Sequence, residues 1–519
     1  MQSHFLQLVV ALLCFIFNLT ACSTHNTTSS AIMTNSIANE IDQLVRIAMQ
    51  ELKVVPGFAL SIYTPGGNYV RGFGVTDIET NEAVSGDTAF YIASTTKAFT
   101  ALALNSLHHQ GKLDLDSNLS NYAPEIDFPA TIHPDKVTLR SLLTHTSGIS
   151  NNPLVFRNAY SGQHNPEINS RLLKATTINE VKPLGHFQYT NAGYNILTTL
   201  SDKKLNMRWQ DLLAKEIFQP VGMLHTTAYI STAINNKWSL AQPHDGSQPN
   251  TALRARLNKM DSTMQSAGGL IMSANDALRW LELLVEDGMI DGSQVIPQIA
   301  IHETRTHYAT VGDKRRLFTG DLSTRDHYGL GWYIGKYRND LIIEHGGAFG
   351  GFHSQLSYMP DHKIGVAALV NANASGKLLA QYISSFVYDR LTGRKHAFKR
   401  AQQNIKRLLA EQQRIFEATA ADKERRTNRK WELSKPFSDY VGTYENQLYG
   451  TIKLSLENNK PIFTLGAIRS EMEAFPLPDH VRIDLAGRGI VGRFLFDDND
   501  NLISFLFRDR EYVVQFDKQ

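Results

Sequence analysis

Ser94 and Lys97 are the pair of residues in this chain whose types and spacing point most directly to chemistry. They lie three residues apart at the start of an apolar stretch, so on a helix their side chains share one face, one turn apart. A lysine with a lowered pKa could take the proton from the serine hydroxyl, which would make the serine a nucleophile. The same tetrad pattern also occurs from Ser201 to Lys204, so the pair alone establishes no function.

Two more polar motifs follow Ser94 along the chain. Tyr189-Thr-Asn191 lies in a polar loop that runs into an apolar helix, and His345-Gly-Gly347 followed by Ala348 lies at the end of a predicted strand. A tyrosine and an asparagine at this spacing also occur at two other places in the chain, so each motif is weak evidence alone. The three motifs together, in this order along the chain, say more about function than any one of them does.

The three motifs in this order resemble the serine β-lactamase and penicillin-binding-protein family, in particular its class C-like branch. The segments 90–100 and 139–149 are also similar to that family, and the resemblance covers roughly residues 37–392. It implies that Ser94 is the nucleophile and that Lys97 accepts or relays the serine proton. It also implies that Tyr189 shares the base role and passes a proton to the leaving group.

The resemblance assigns the remaining site residues to substrate binding. Asn191 would donate its amide to a substrate carbonyl or orient Lys97. The backbone amides of Ser94 and Ala348 would form an oxyanion hole, and Gly347 would let the backbone approach the substrate closely. Simpler roles remain open, because serine and asparagine often cap helices and a helix lysine often faces solvent.

The electrostatics of the site can also be anticipated. The apolar residues around Lys97 favour burial, which would lower the pKa of its amine. The phenol of Tyr189 can act as a base only beside a cation that favours phenolate, and Lys97 and His345 are the expected cations. His345 should titrate near neutrality, as an unperturbed imidazole does.

His345-Gly-Gly replaces the Lys-Thr-Gly triad of many β-lactamases and D,D-peptidases. A permanent cation and a hydroxyl suited to a substrate carboxylate are both absent, which argues against penicillins or D-Ala-D-Ala as favoured substrates. An esterase, amidase or D-aminopeptidase is therefore the leading hypothesis, with possible peptidoglycan-derived substrates. A D,D-carboxypeptidase or class C-like β-lactamase is the first alternative, and a non-catalytic binder of cell-wall fragments is the second.

The composition excludes several other classes of protein. The 519 residues are 42% hydrophobic and 20% charged, as expected of two or three globular domains. A formal charge of +2 gives no reason to expect a nucleic-acid partner. The histidines lack metal-ligand spacing and His145 is expected to shape a loop, so we predict neither metal nor cofactor.

The N-terminus resembles a bacterial lipoprotein signal. Residues 8–17 are an apolar run too short to span a membrane comfortably, and Leu19-Thr-Ala-Cys22 resembles a lipobox. We expect a signal peptide over 1–21, lipidation of Cys22 and a flexible tether over 22–36. This implies a lipid-anchored protein of the bacterial envelope, facing the periplasm from the outer membrane, although no Lys or Arg precedes Leu8.

The predicted fold class is α+β, with three parts after the tether. Residues 37–394 should form a β-lactamase/transpeptidase-like antiparallel sheet flanked by helices, plus a helical subdomain. Residues 395–433 are charged and predict an exposed linker helix with a narrow apolar face. Residues 434–519 alternate short apolar runs with turns and predict a small all-β, barrel-like domain, similar to lipocalin-like modules.

Overall fold

The computed structural model describes residues 31–249, 251–255, 259–311, 323–485, 487–509 and 512–519. The predicted signal peptide, the lipidation site Cys22 and most of the predicted tether lie outside these ranges. Among the described residues, no helix combines the length and apolar character needed to cross a bilayer.

An eight-stranded antiparallel sheet forms the centre of the first domain, with strand order β3-β4-β5-β6-β7-β8-β1-β2. The first and last parts of the domain therefore share one sheet, and the mostly helical middle is inserted between them. The strands in chain order are β1 (Gly57–Tyr63), β2 (Tyr69–Gly74), β3 (Ala309–Thr310), β4 (His327–Tyr328), β5 (Tyr333–Tyr337), β6 (Asp340–Phe349), β7 (Phe352–Met359) and β8 (Ile364–Val370).

Helices cover both faces of this sheet. The six longest helices are α1 (Asn35–Leu52), α2 (Thr96–His109), α3 (Ala192–Leu205), α4 (Ala274–Val285), α5 (Ser375–Leu391) and α6 (Ala397–Thr427). In β1, Phe58, Leu60 and Ile62 pack with α1 and α5, whereas Ala59 joins the core on the opposite face. A strand buried on both faces favours apolar residues throughout, as in β8, and the buried Ser61 of β1 has its hydroxyl paired with the carbonyl of Ala274.

Shorter elements complete the helical subdomain and the loops around the sheet. Single helical turns and short helices lie at Ala93–Thr95, Leu119–Tyr122, Ala130–Ile132, Leu139–Leu143, Asn152–Phe156, Arg157–Ser161, Pro166–Leu172, Leu173–Ala175, Trp209–Leu213, Ala214–Phe218, Gln219–Val221, Ile230–Asn235, Gln298–Thr304 and Pro360–His362. Short strands lie at Ala89–Tyr91, Ile149–Ser150, Thr177–Ile178, Thr226–Thr227, His244–Asp245, Leu253–Arg254, Ile271–Ser273, Met289–Ile290 and Ser293–Gln294.

The charged helix α6 is not an exposed linker along its whole length. Its first half buries Ala401, Ile405 and Leu408 in the core shared with α1 and α5, and Gln412 donates a 2.8 Å hydrogen bond to the carbonyl of Leu52. The predicted narrow apolar face is present, but it packs against the first domain. Only the second half of α6 is largely exposed.

The C-terminal domain is a nearly closed nine-stranded barrel, as its alternating pattern predicts. A single turn at Phe437–Tyr440 precedes it, and aromatic side chains, among them Tyr444, Phe463 and Phe505, fill its core. Its strands are β9 (Gly442–Asn446), β10 (Gly450–Glu457), β11 (Lys460–Leu465), β12 (Ile468–Glu471), β13 (Glu473–Ala474), β14 (His480–Leu485), β15 (Arg488–Phe496), β16 (Leu502–Asp509) and β17 (Tyr512–Lys518).

Candidate active site

Ser94 lies in a tight helical turn that leads directly into α2. The preceding residue, Ala93, has a φ of 48°, a left-handed conformation that is uncommon for a residue with a side chain. The carbonyl of Ile92 accepts hydrogen bonds from Thr95 Oγ1 at 2.8 Å and from Ser354 Oγ at 2.7 Å. Strand β7 therefore fixes the turn that presents the serine.

Gly347 allows β6 to lie directly against this turn. A Cβ atom at Gly347 would lie 2.0 Å from the carbonyl oxygen of Ile92 and 2.4 Å from Ser354 Oγ. The close approach that Gly347 permits is thus between β6 and the turn at Ile92, two parts of the protein itself. It places the backbone of Ala348 beside the Ser94 turn.

Lys97 is completely buried, as expected, and its amine has three polar neighbours. Nζ lies 2.8 Å from Asn191 Oδ1, 2.7 Å from the carbonyl of Ala267 and 3.4 Å from Ser94 Oγ. Within the described residues, no carboxylate forms an ion pair with Lys97. Burial without a counter-ion disfavours the charged form and lowers the pKa of Lys97 to about 7.

Asn191 orients the lysine and does not cap its own helix. It stands immediately before α3, but its side chain makes no capping hydrogen bond. Instead its Oδ1 accepts from Lys97. Of the two substrate-site roles considered for Asn191, the orientation of Lys97 is the one seen in the structure.

Tyr189 lies over the lysine, with its ring centroid 4.8 Å from Lys97 Nζ. The prediction of a stabilised phenolate is wrong, because burial raises the pKa of Tyr189 well above its ordinary value. The neighbouring Tyr333 raises that pKa further, whereas the hydrogen bond with Ser94 and the charge of Arg325 lower it less. Tyr189 is therefore a neutral phenol in contact with the serine.

His345 is buried in the same group of aromatic rings, 5.9 Å from the Tyr189 ring. The prediction that it titrates near neutrality is wrong. Burial holds the pKa of His345 well below its usual value, and the charges of Lys97 and Arg325 lower it further. Nδ1 is 2.9 Å from the carbonyl of Gly346, and Nε2 has no partner among the described residues. His345 is thus neutral.

His145 supports the tyrosine loop, as its expected structural role requires. Its Nδ1 accepts a 3.3 Å hydrogen bond from the amide of Thr190, and its carbonyl accepts one of 2.8 Å from the amide of Gln188. Its ring lies 4.5 Å from that of Tyr189. The backbone of His145 has a left-handed φ of 60°.

Comparison with known proteins identifies the family of the first domain. The Beta-lactamase family model matches residues 41–384, which is more than half of the chain. The chain belongs to the β-lactamase family. This assignment covers the first domain, including every residue of the site described above, and it ends before α6 and the barrel.

Curated relatives within this β-lactamase family are distant in sequence. Protein flp of Staphylococcus aureus strain N315 is 21% identical over 345 residues, which span 66% of this chain and 64% of flp. A β-lactamase of Providencia stuartii is 29% identical over 245 residues, which span 47% of this chain and 59% of that enzyme. The chain thus spans less than two thirds of the length of these relatives.

One solved structure resembles both domains. The octameric penicillin-binding protein homologue from Pyrococcus abyssi superposes with a TM-score of 0.58 and 20% identity, and the match covers 92% of this chain and 99% of that one. At this identity the likeness shows the fold alone. Members of the β-lactamase family are generally serine hydrolases.

The second serine–lysine tetrad has no such surroundings. Ser201 is buried in α3, whereas Lys204 is exposed and its amine lies 5.6 Å from the ring centroid of Tyr122. Helical spacing is therefore the same at both tetrads, but only Lys97 is desolvated and held by fixed acceptors.

Sequence reasoning missed a charged layer beside the site. The guanidinium of Arg325 lies 4.0 Å from the ring centroid of Tyr333 and forms a 2.6 Å ion pair with buried Glu344. Gln355 donates a 2.7 Å hydrogen bond to the other Glu344 oxygen. The alternating pattern of the strands could have placed Glu344 and Gln355 on one face, but no sequence signal points to Arg325.

A histidine–carboxylate group lies apart from these residues. His108, Asp114 and Asp116 bring their potential ligand atoms within 4.8 Å of one another, but both aspartates are exposed. Arg140 donates to Asp116 at 2.7 and 2.9 Å, so this carboxylate is already paired. The group gives no reason to revise the metal prediction.

Proposed function

We propose that the protein is a serine hydrolase that cleaves esters or amides through an acyl-enzyme on Ser94. The observation that carries this proposal is the buried amine of Lys97, whose pKa is near 7 and whose neighbours include Ser94 Oγ. A weakly basic amine beside a hydroxyl is the arrangement that a serine nucleophile requires of its base.

The hydrogen bonds of Lys97 explain how it acts as a base. A neutral amine has two N–H donors and one lone pair. Asn191 Oδ1 and the Ala267 carbonyl accept the two donors, so the lone pair is left for the Ser94 hydroxyl at 3.4 Å. As Ser94 Oγ forms a bond to the substrate carbonyl carbon, its proton moves to Lys97 Nζ.

Tyr189 then serves as the proton donor to the leaving group. Because its pKa is raised, it keeps its proton during attack and can donate it as the bond from the carbonyl carbon to the leaving oxygen or nitrogen breaks. The proton on Lys97 replaces the one that Tyr189 gives away. Water attacks the acyl-enzyme in the second half, and the acid leaves with Ser94 restored.

The backbone amides of Ser94 and Ala348 are proposed to stabilise the tetrahedral oxyanion. Their proximity follows from the contact of Gly347 with Ile92, which sets β6 against the nucleophile turn. Donors fixed in this way need no reorganisation when negative charge develops on the oxygen.

The substrate is proposed to be an ester or amide, with D-amino-acid peptides and other envelope-derived compounds included. A neutral His345 and the side-chain-free Gly346 supply neither cation nor hydroxyl for a carboxylate at this position. The lack of a cation and a hydroxyl distinguishes the site from the Lys-Thr-Gly triad of many β-lactamases and D,D-peptidases. A D,D-carboxypeptidase or class C-like β-lactamase remains the first alternative function.

A fluorophosphonate probe tests the mechanism directly, since it labels activated serines. We expect the full-length protein and the Ser201→Ala variant to be labelled, and Ser94→Ala to be unlabelled. Ser201→Ala is a matched control because it removes the serine of the second tetrad. A folded wild-type protein that resists the probe would favour the non-catalytic binding role.

A substrate panel separates the enzymatic alternatives. p-Nitrophenyl esters, D-amino-acid amides, a D-Ala-D-Ala peptide and nitrocefin are compared at equal amounts of titrated active site. We expect kcat/KM to be higher for the ester or the amides than for nitrocefin and the D-Ala-D-Ala peptide. The reverse order would favour the carboxypeptidase or β-lactamase alternative.

We also propose that Cys22 anchors the protein to the bacterial envelope. The support is the lipobox resemblance at 19–22 and the polar segment that follows it. Incorporation of an alkyne fatty acid into the wild type but not into Cys22→Ala is the expected result. Equal incorporation in both would exclude lipidation at this residue.

A further inference from the structure

The segment 156–163, here named the bridge segment, contacts both domains. It contains a single π-helical turn, Arg157–Ser161, which directly follows the short helix Asn152–Phe156. Such turns are rare and are often found at functional sites. The bridge segment therefore differs from an ordinary loop in two ways: it contains a π-helical turn, and it contacts both domains.

The aromatic side chain at the start of the bridge segment belongs to the core of the barrel. Phe156 is 3% exposed, and its ring lies 5.4 Å from that of Tyr449 and 6.2 Å from that of Phe507. A side chain of the first domain thus completes the hydrophobic core of the second. The two domains cannot separate without exposing this ring.

Arg157 ties the bridge segment to a turn of the barrel. It is 6% exposed and donates to the carbonyls of Leu448 at 2.6 Å, Gln447 at 2.9 Å and Gln163 at 2.8 Å. Within the described residues it forms no ion pair with a carboxylate. The planar guanidinium reaches three carbonyls at once, which the single ammonium of a lysine cannot reproduce.

Gln163 and Ser161 add backbone contacts to strand β10 and the turn after β11. The Gln163 amide accepts from the N–H of Thr451 at 2.8 Å and donates to its carbonyl at 3.0 Å. The carbonyl of Ser161 accepts from the amide of Ala467 at 2.7 Å. A Cβ at the neighbouring Gly466 would lie 1.9 Å from the Ser161 carbonyl oxygen, so this approach requires glycine.

The other side of the bridge segment contacts the catalytic centre by two routes. Tyr160 packs 5.7 Å from Phe349, the residue after Ala348 in β6. The carbonyl of Asn158 accepts a 3.3 Å hydrogen bond from the amide of Gln265, and this loop presents the Ala267 carbonyl to Lys97. One short segment thus supports both the oxyanion strand and the base.

We propose that the bridge segment couples docking of the barrel to the geometry of the catalytic centre, with Arg157 as the positioning residue. The inference deepens the proposed hydrolase function, and its kinetic test rests on that function. When the barrel turn at 446–449 is held, Tyr160 and Asn158 hold β6 and the 265–267 loop. When it is released, both catalytic supports loosen together.

The test uses the full chain with Arg157→Lys and Gln163→Ala, and with Arg171→Lys as a control at an exposed arginine. Hydrogen exchange is measured at the amides of Thr451, Gly268 and Phe349. We expect faster exchange at all three in both bridge variants and no change in the control. We also expect kcat per titrated active site to fall about tenfold for a small ester, with KM within about twofold.

The outcomes separate coupling from simple stability and from the hydrolase proposal. Faster exchange at Thr451 alone, with kcat unchanged, would show that the barrel docks without affecting catalysis and would overturn the inference. Unchanged exchange at Thr451 in both variants would overturn the role of Arg157 as the anchor. If wild type shows no turnover, the hydrolase proposal fails, while the exchange at Gly268 and Phe349 still decides the coupling.

Discussion

At the scale of single residues, the site depends on a lysine kept uncharged by its surroundings. Lys97 is buried, and its fixed partners are neutral oxygen atoms that accept hydrogen bonds without adding a negative charge. An acidic partner would have stabilised the ammonium and removed the base. The ability of Lys97 to act as a base therefore depends on its neutral partners and on the absence of a carboxylate partner among the described residues.

The first prediction concerns the pH dependence of acylation. Since the neutral form of Lys97 is the base and its pKa is about 7, the rate of acylation should rise with pH through about 7 and level off above it. Below the midpoint the rate should fall about tenfold per pH unit. The measurement is the pre-steady-state burst with a p-nitrophenyl ester between pH 5 and 9.

Lys97→Arg is the matched variant for this profile, because arginine stays charged throughout that range. It should lose acylation at every pH. A wild-type rate that stays constant from pH 5 to 9 would contradict the assignment of Lys97 as the titrating base.

The second prediction separates His345 from that profile. His345 should not titrate near pH 7, because burial holds its pKa well below the usual value. His345→Gln should therefore keep the midpoint near pH 7 and lower kcat by about tenfold, through loss of the buried imidazole ring that lies beside Tyr189. The same burst assay measures both quantities, and loss of the acid limb in this variant would assign that limb to His345.

The sequence allowed the reacting residues to be predicted better than their protonation states. Residue types and order were enough to select Ser94, Lys97, Tyr189 and Asn191, which the structure brings together. The neutrality of His345 was missed because it depends on rings and charges from several separate elements. Spacing along one chain does not reveal how deeply those elements bury an imidazole.

At the scale of elements, β6 shows how packing overrides local preference. The sequence places His345-Gly-Gly347 at the end of a predicted strand, and glycine is a poor strand former. The observed strand continues to Phe349 and pairs in register with β7. Contact with the Ile92 turn accounts for this extension, and that contact joins residues far apart in the chain.

The third prediction uses the two adjacent glycines as a matched pair. In Gly347→Ala the new Cβ would lie 2.0 Å from the Ile92 carbonyl oxygen, so β6 must move away from the Ser94 turn. We expect a loss of about 1–3 kcal/mol in stability and a drop of about a hundredfold or more in kcat. Thermal unfolding and ester turnover measure the two effects.

Gly346→Ala is the control, because its Cβ would lie 3.2 Å from the end of the Gln355 side chain and at an ordinary contact distance of 3.7 Å from the Ser354 carbonyl oxygen. Its activity should stay within a few-fold of wild type. Equal losses in the two variants would show that the strand tolerates no side chain at either position, and that the Ile92 contact is not the cause.

At the scale of the whole molecule, Asp389 joins three parts of the first domain and its C-terminal extension. This carboxylate of α5 accepts from Tyr337 of β5 at 3.0 Å, from Arg338 at 2.8 and 2.9 Å, and from Arg400 of α6 at 2.8 and 3.1 Å. The sequence predicted α6 as a charged helix, but it predicted neither β5 nor this junction. It explains why α6 packs on the domain along its first half.

The fourth prediction tests this junction through the pH dependence of stability. Burial alone would raise the pKa of Asp389, but the hydrogen bonds and charges of Arg338 and Arg400 lower it on balance. A carboxyl group whose pKa is lower in the folded state stabilises the protein above its unfolded pKa, about 4. That contribution is lost as the pH falls through the folded pKa.

Asp389→Asn should therefore lower the free energy of unfolding by about 3 kcal/mol at pH 7, because two arginines lose a buried partner. The deficit should shrink as the pH falls below about 4, where the wild-type carboxyl also becomes neutral. Urea unfolding across this range measures the free energy of unfolding.

Asp340→Asn is the control, since Asp340 pairs with Arg394 at 2.8 Å but is 22% exposed, and a loss under about 1 kcal/mol is expected there. If the two variants lose equal stability, and the loss at Asp389 does not vary with pH, then the ionised carboxylate is not what holds α6 to the domain.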